Sequence, residues 1–132
     1  MKAKIDQVRL RKYEDKRGVL IENTVPEIVS KSKHFFVSIS KPNIIRGNHY
    51  HLKKSEWFYL IEGKCKLRII DLKTKKKNDI TISSTDNLII HIGPNQAHAF
   101  KNIGKGKMIL LALVNVPHDQ NKPDTYPYTV IK

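Results

Sequence analysis

The sequence predicts an all-β protein closed into a sandwich or barrel, and three observations carry that reading. Runs rich in β-branched and aromatic residues recur along the chain, several alternate apolar and polar positions, and clusters of Gly, Pro, Asn and Ser separate them. Only Val25–Lys31 offers a helical turn or two, led by Pro26.

The expected strands are, in order, Phe35–Ser40, Glu56–Ile61, Lys64–Ile70, Asp79–Ser83, Asn87–Ile92 and Lys107–Val116. In Lys64-Cys65-Lys66-Leu67-Arg68-Ile69 the odd positions are apolar and the even ones basic, the period of a half-buried strand. Pro42-Asn43, Glu62-Gly63, Ser84–Asn87, Gly93-Pro94-Asn95 and Asn102–Gly106 supply the turns. From Pro117 the chain carries Pro117, Pro123 and Pro127, so 117–132 reads as an irregular tail wrapping the surface rather than a core strand. No repeat, linker or low-complexity stretch interrupts the pattern, and 1–132 reads as one β-barrel domain.

Composition narrows the function classes. The 132 residues carry a formal net charge of +13, with 39% hydrophobic and 28% charged residues, which fits a globular chain able to bury a core without disulfides. A lone cysteine, Cys65, cannot pair internally, which together with the lack of an apolar run behind the basic N-terminus points to a reducing, cytoplasmic setting. No apolar run approaches a membrane span, so no membrane partner is expected. The basic residues are mostly lysines scattered along the chain. Their one dense cluster, Lys73, Lys75, Lys76 and Lys77, precedes Asn78-Asp79 and reads as a turn. Without a basic helix or interleaved aromatics this is a solvated surface, and no nucleic-acid partner is expected. A small anionic ligand remains compatible with the charge.

The chemistry concentrates in Arg46–Gly63. His49 and His51 are two apart, so on a strand both face the same side. After the polar turn Leu52–Ser55, Glu56 opens the next strand and a hairpin would return its carboxylate beside the imidazoles; Phe58 and Leu60 share its face. His98 follows in Pro94-x-x-x-His98. Each histidine alone reads as a surface or hydrogen-bonded side chain; jointly His49, His51, Glu56 and His98 make a ligand set for a divalent metal such as zinc, iron, manganese or nickel. His34, His91 and His118 fall outside it, Cys65 reads as a small core residue, and Trp57 faces away from Glu56 toward a covering layer.

Gly47-x-His49-x-His51, Glu56 and Gly63, with Pro94-x-x-x-His98-x-x-x-Asn102, resemble the two motifs of the cupin superfamily, with Asn95 where the second motif usually has glycine. The resemblance implies a double-stranded β-helix, or jelly-roll, barrel with the metal in its mouth. Asp15-x-Arg17-Gly18-x-Leu20-x-Glu22, Val37–Pro42, Arg46–His51 and Pro123-Asp124-Thr125-Tyr126 narrow it to sugar-nucleotide-modifying cupins. From about Leu10 onward the chain is similar to the C-terminal zinc-binding cupin domain of bifunctional capsular-polysaccharide reductase/epimerases of the UDP-N-acetyl-L-fucosamine pathway. It is more distantly similar to dTDP-4-dehydrorhamnose epimerases and dTDP-sugar ketoisomerases.

The resemblance implies an epimerase or isomerase acting on a nucleotide-linked 4-keto sugar in surface-polysaccharide biosynthesis. It also implies a homodimer in which region 1–34 is exchanged, and a separate NADPH-dependent reductase in place of the relatives' N-terminal half. In the more distant relatives the position of His49 holds a general base, a role that conflicts with metal ligation by the same nitrogen. Tyr59 and Lys53 are the other acid–base candidates, whereas Tyr50, alternating with the histidines, should point away. Arg46 is the candidate for the diphosphate, because guanidinium pairs with phosphate in a fork, and Arg17 and Glu22 are candidates to reach a neighbouring subunit's site. A metal held by the four residues is expected either to polarise the carbonyl or to close the barrel mouth. Two other readings remain open: a non-catalytic sugar-nucleotide-binding partner of a reductase, and a metal-dependent oxygenase or isomerase of another small molecule.

Overall fold

A computed structural model describes residues 1–132. In chain order its strands are β1 (Asp6–Arg9), β2 (Arg11–Asp15), β3 (Gly18–Glu22), β4 (His34–Ser40), β5 (Ile45–Tyr50), β6 (Glu56–Glu62), β7 (Lys64–Asp71), β8 (Lys77–Ser83), β9 (Leu88–Ile92), β10 (Gln96–Asn102), β11 (Met108–Val114) and β12 (Tyr126–Pro127). One helix, α1 (Pro26–Lys31), starts on its proline as the sequence suggests.

The strands form two five-stranded antiparallel sheets, ordered β1-β9-β6-β11-β4 and β12-β5-β10-β7-β8, with β2 and β3 as a separate hairpin. Alternation explains the packing. Cys65, Leu67 and Ile69 of β7 are fully buried while Lys64, Lys66 and Arg68 face outward. They meet Phe58 and Leu60 of β6, Ile90 and Ile92 of β9, and Met108 and Leu110 of β11 in the core between the sheets. Each fully buried aliphatic side chain there contributes about 1.5–3 kcal/mol. The outer face of the first sheet is covered by α1 and the preceding chain, where Leu10, Ile28 and Ile89 pack with Trp57 and Tyr59. No helix is long and apolar enough to cross a membrane.

Several elements differ from the sequence expectation. β10 lies where no strand was expected because its apolar positions are Ala97 and Ala99, poor strand formers chosen by space rather than propensity. β1, β2 and β3 are exposed and lack a one-sided apolar pattern, so the sequence carries no period-2 signal for them. β8 starts at Lys77, two residues earlier than expected, and β9 at Leu88, because Asn87 sits in the left-handed region closing the turn Ser84–Asp86. The tail from Pro117 runs over the second sheet. It is irregular, but β12 pairs with β5, and Val130 and Ile131 are buried against Ile70, Ala97 and Ala99. The tail therefore covers the outer face of the second sheet and completes its core.

Two glycines permit close crossings. Gly63 has φ +104° between β6 and β7, and a Cβ there would stand 2.5 Å from the Lys107 carbonyl oxygen. Gly47 in β5 has φ +105°, with a Cβ position 2.7 Å from the His98 carbonyl oxygen, beside the register shift between β5 and β10. Because backbone rather than a flexible side chain blocks the Cβ, Gly63→Ala is expected to destabilise by more than about 2 kcal/mol. A denaturant midpoint unchanged from wild type would contradict this. Burial pushes the Cys65 thiol up to about 12. Its reaction with a thiol reagent at pH 8 should be slower than that of the unfolded chain by at least about a thousandfold. A native rate equal to the unfolded one would show that the core opens.

Candidate metal centre

Strand register builds the cluster. His49 of β5 pairs directly with His98 of β10, so the two imidazoles share the inner face at 4.8 Å between ring centroids. His51 follows at the end of β5, and Glu56 opens β6 with Phe58 and Leu60 on its buried side. One ligand atom from each of His49, His51, Glu56 and His98 lies within 4.8 Å of all the others. That is near the ~4 Å spanned by two ligands bound at ~2.1 Å on opposite sides of a metal. The sequence-predicted set is thus brought together.

Hydrogen bonding fixes which nitrogens face inward. His51 Nδ1 donates to the Asp124 carbonyl at 2.6 Å, and His98 Nδ1 donates to the Gln96 carbonyl at 3.0 Å. A carbonyl only accepts, so each Nδ1 carries the proton and each Nε2 presents a lone pair. Both Nε2 atoms point at Glu56 Oε1, at 2.9 and 3.7 Å. The 2.9 Å contact is not aligned as a hydrogen bond, and His51 Nε2, His98 Nε2 and Glu56 Oε1 are all buried without a partner. Three converging acceptors need a cation between them, and the residues present fit a divalent metal. His49 differs: it is half-buried and neither ring nitrogen is anchored by a hydrogen bond to the protein.

The charges respond accordingly. Burial lowers His49 to about 4, with repulsion from His98 and His51 adding to it and Glu56 partly opposing. Complete burial lowers His98 despite the pull of Glu56. Burial works against a charged His51, but the adjoining Glu56 carboxylate and the Asp124 carbonyl outweigh it and raise its pKa. Burial would likewise protonate Glu56, yet the three imidazoles hold its pKa below the usual value.

These groups line a cavity of about 670 Å³, within the range of small-molecule sites. Its apolar wall is formed by Phe36, Phe58, Phe100 and Leu110, and Arg46 and Lys54 add positive charge. Arg46 Nε donates to Ser40 Oγ at 2.9 Å, leaving the other guanidinium nitrogens free of protein partners. Tyr59 and Lys53 are placed elsewhere. Tyr59 alternates away from Glu56 and packs on the outer face with Leu10 and Ile28, and Lys53 is exposed on the loop while its neighbour Lys54 lines the cavity. Arg17 sits on the β2–β3 hairpin and forks onto Asp15 at 2.7 Å; Glu22 ends the same hairpin, and neither lines the cavity. Sequence reasoning missed Lys54, Thr125 and Asp124 as site residues. Thr125 and Asp124 stand in the Pro123–Tyr126 motif, which carries the family resemblance without showing that the tail runs to the site. His34, His91 and His118 lie outside the cavity, His91 stacking on Trp57 with ring centroids 5.1 Å apart.

A family model described as the polysaccharide biosynthesis C-terminal domain matches residues 13–126. A Pseudomonas aeruginosa protein named UDP-2-acetamido-2,6-beta-L-arabino-hexul-4-ose reductase is 27% identical over 118 residues, covering 89% of this chain and 31% of that protein. The Bacillus subtilis spore coat polysaccharide biosynthesis protein SpsL is 26% identical, covering 88% of this chain and 82% of the relative. The chain thus spans about a third of the Pseudomonas relative and most of the Bacillus one. Among solved structures, the capsular polysaccharide assembling protein CapF of Staphylococcus aureus is 30% identical with a TM-score of 0.72, over 92% of this chain and 34% of that one. The fold is shared with a dTDP-4-dehydrorhamnose 3,5-epimerase of Bacillus anthracis, crystallised with TDP and PPi, at 17% identity and TM-score 0.78, covering 92% of this chain and 76% of the epimerase.

The converging acceptors yield a measurable consequence. Zinc added to chelator-stripped protein should raise stability, by about 2.7 kcal/mol at a hundredfold excess over Kd. The gain should shrink as pH falls through the imidazole range, because ligation requires deprotonated rings, and His51→Ala should abolish it. Thermal melts unmoved by any divalent metal would exclude the centre.

Proposed function

We propose a function from one premise: this chain belongs to the polysaccharide biosynthesis C-terminal domain family. The proposal is a metal-binding cupin that epimerises or isomerises a nucleotide-linked 4-keto sugar in surface-polysaccharide biosynthesis. The observation that carries it is the buried His51/Glu56/His98 acceptor set beside His49, within a cavity large enough for a sugar nucleotide. Support comes also from a relative named as a hexul-4-ose reductase, since a hexul-4-ose is a 4-keto sugar, and from the shared fold of the dTDP-sugar epimerase.

A carbon beside the 4-keto group carries an acidic proton. Removing it gives an enolate, and returning it to the opposite face inverts the centre. A nitrogen that ligates cannot also take a proton. His51, Glu56 and His98, whose inward atoms are buried and converge, are therefore read as the residues that would hold the metal. His49, neutral and unanchored, is read as the group that exchanges protons with substrate. The chemistry a divalent metal, taken to be zinc, would supply here is polarisation of the keto oxygen. Lys54 adds positive charge near the developing oxyanion, and Arg46, with its free guanidinium nitrogens, is assigned to the diphosphate. Phe36, Phe58 and Phe100 give the sugar a dry wall that strengthens these interactions.

Two further parts belong to the same proposal. The β2–β3 hairpin pairs with no other strand and exposes Tyr13, Val19 and Leu20. It is proposed to cross to a second copy in a homodimer, carrying Arg17 and Glu22 toward that copy's cavity. A reductase consuming the epimerised keto sugar is the proposed partner activity, in the cytoplasm where nucleotide sugars are made.

In deuterated water the protein should introduce deuterium at C3 or C5 of a UDP- or dTDP-linked 4-keto sugar. His49→Ala should slow that exchange about 10²–10⁴-fold while still binding metal. Absence of exchange with both nucleotide sugars would reject the epimerase and leave a binding protein.

A further inference from the structure

The C-terminal tail holds the site from two sides. Asp124 has φ 50°, a left-handed conformation that Asp and Asn tolerate better than other non-glycine residues. In this conformation its carbonyl accepts from His51 Nδ1 at 2.6 Å. Its carboxylate turns the other way and accepts three backbone N–H groups of the loop joining His51 to Glu56: Leu52 at 3.0 Å, Lys53 at 2.9 Å and Lys54 at 3.0 Å. On the other side of the histidine pair, Asn48 Oδ1 accepts from the backbone of Val130 and Ile131 at 2.8 and 3.0 Å. The backbone around His49, His51 and Glu56 is thus tied to the tail both before and after the ligands.

We propose that Asp124 is a positioning residue for the metal centre: its backbone carbonyl sets the His51 tautomer, and its carboxylate fixes the length and shape of the His51–Glu56 loop. The inference rests on the metal reading of the site. A hydrogen bond from the far nitrogen of a ligating histidine fixes ring orientation and makes the facing nitrogen more basic. Here that partner lies 73 residues away in sequence. One residue therefore serves ligand and loop together, and the loop carries Lys54 into the cavity.

Asp124→Ala and Asp124→Asn test this. Alanine removes the carboxylate and disfavours the left-handed backbone; asparagine keeps the backbone preference but places an amide N–H₂ where one oxygen accepted. Zinc or cobalt affinity, measured by competition with a chromophoric chelator, should fall about tenfold in Asp124→Asn and up to about a hundredfold in Asp124→Ala. In metal-free protein at pH 8, nitrogen-15 NMR should place the His51 proton on Nδ1 in wild type, and Asp124→Ala should lose that preference. A merely structural role would lower the melting temperature without moving the tautomer. Wild-type affinity and tautomer in both variants would overturn the proposal; if alanine does not fold, asparagine with unchanged affinity and tautomer does so. If wild-type protein binds no metal, the metal reading fails separately, and a wild-type His51 proton on Nε2 would overturn the positioning role on its own.

Discussion

A carboxylate buried beside imidazole lone pairs is the constraint around which this molecule is arranged. His51, Glu56 and His98 are all almost fully enclosed. An uncompensated charge in such surroundings costs several kcal/mol even after relaxation. An apolar core would avoid that cost altogether, and the neighbouring Phe58, Phe100 and Leu110 show that this one could have been apolar. Keeping three acceptors aimed at one point makes sense where a cation is the intended occupant. The Glu56 carboxylate raises the His51 pKa against the effect of burial for the same reason.

Holding that arrangement dictates features far from it. His49 and His98 meet because β5 and β10 pair, and they pair closely because position 47 has no side chain to collide with the His98 carbonyl. β10 in turn must be narrow on its outer face. Ala97 and Ala99 leave room for Val130 and Ile131, which is how the tail comes near enough for Asp124 to reach His51. Residues with weak strand propensity are thus retained because the layer above the sheet needs their small size.

The same chain of dependence explains what could be read from sequence. His49-x-His51 states its geometry directly, since a two-residue spacing on a strand has one meaning, and Glu56 follows after a turn too short to lead elsewhere. His98 was legible as a motif member but not as a strand residue, because alanines set by packing carry no periodic signal. Tyr59 and Lys53 show the opposite limit. Both are near the ligands in sequence, but strand alternation turns Tyr59 outward, and a loop held by Asp124 directs Lys54 rather than Lys53 inward. A functional neighbour supplied by a strap 70 residues downstream is invisible locally, since its hydrogen bonds go to backbone N–H groups that every residue possesses.

The net charge of +13 takes on a smaller meaning in this light. Most lysines lie on outward strand positions and turns, where the field of an exposed charge fades over roughly 8–10 Å at physiological salt. Lys66 and Arg68 are already engaged with Asp79. Within the cavity the positive groups are Arg46 and Lys54, together with the imidazoles. Surface charge can speed the approach of an anionic ligand, but only groups inside the cavity distinguish one anion from another. Selectivity must then come from where a guanidinium fork and an ammonium stand relative to the His49 ring, and the ammonium's position is set by the loop that Asp124 holds. The tail thereby bears on ligand choice through the Asp124 carboxylate, while the carbonyl of the same residue meets His51, so one residue links the loop that carries Lys54 to the His51/Glu56/His98 cluster beneath it.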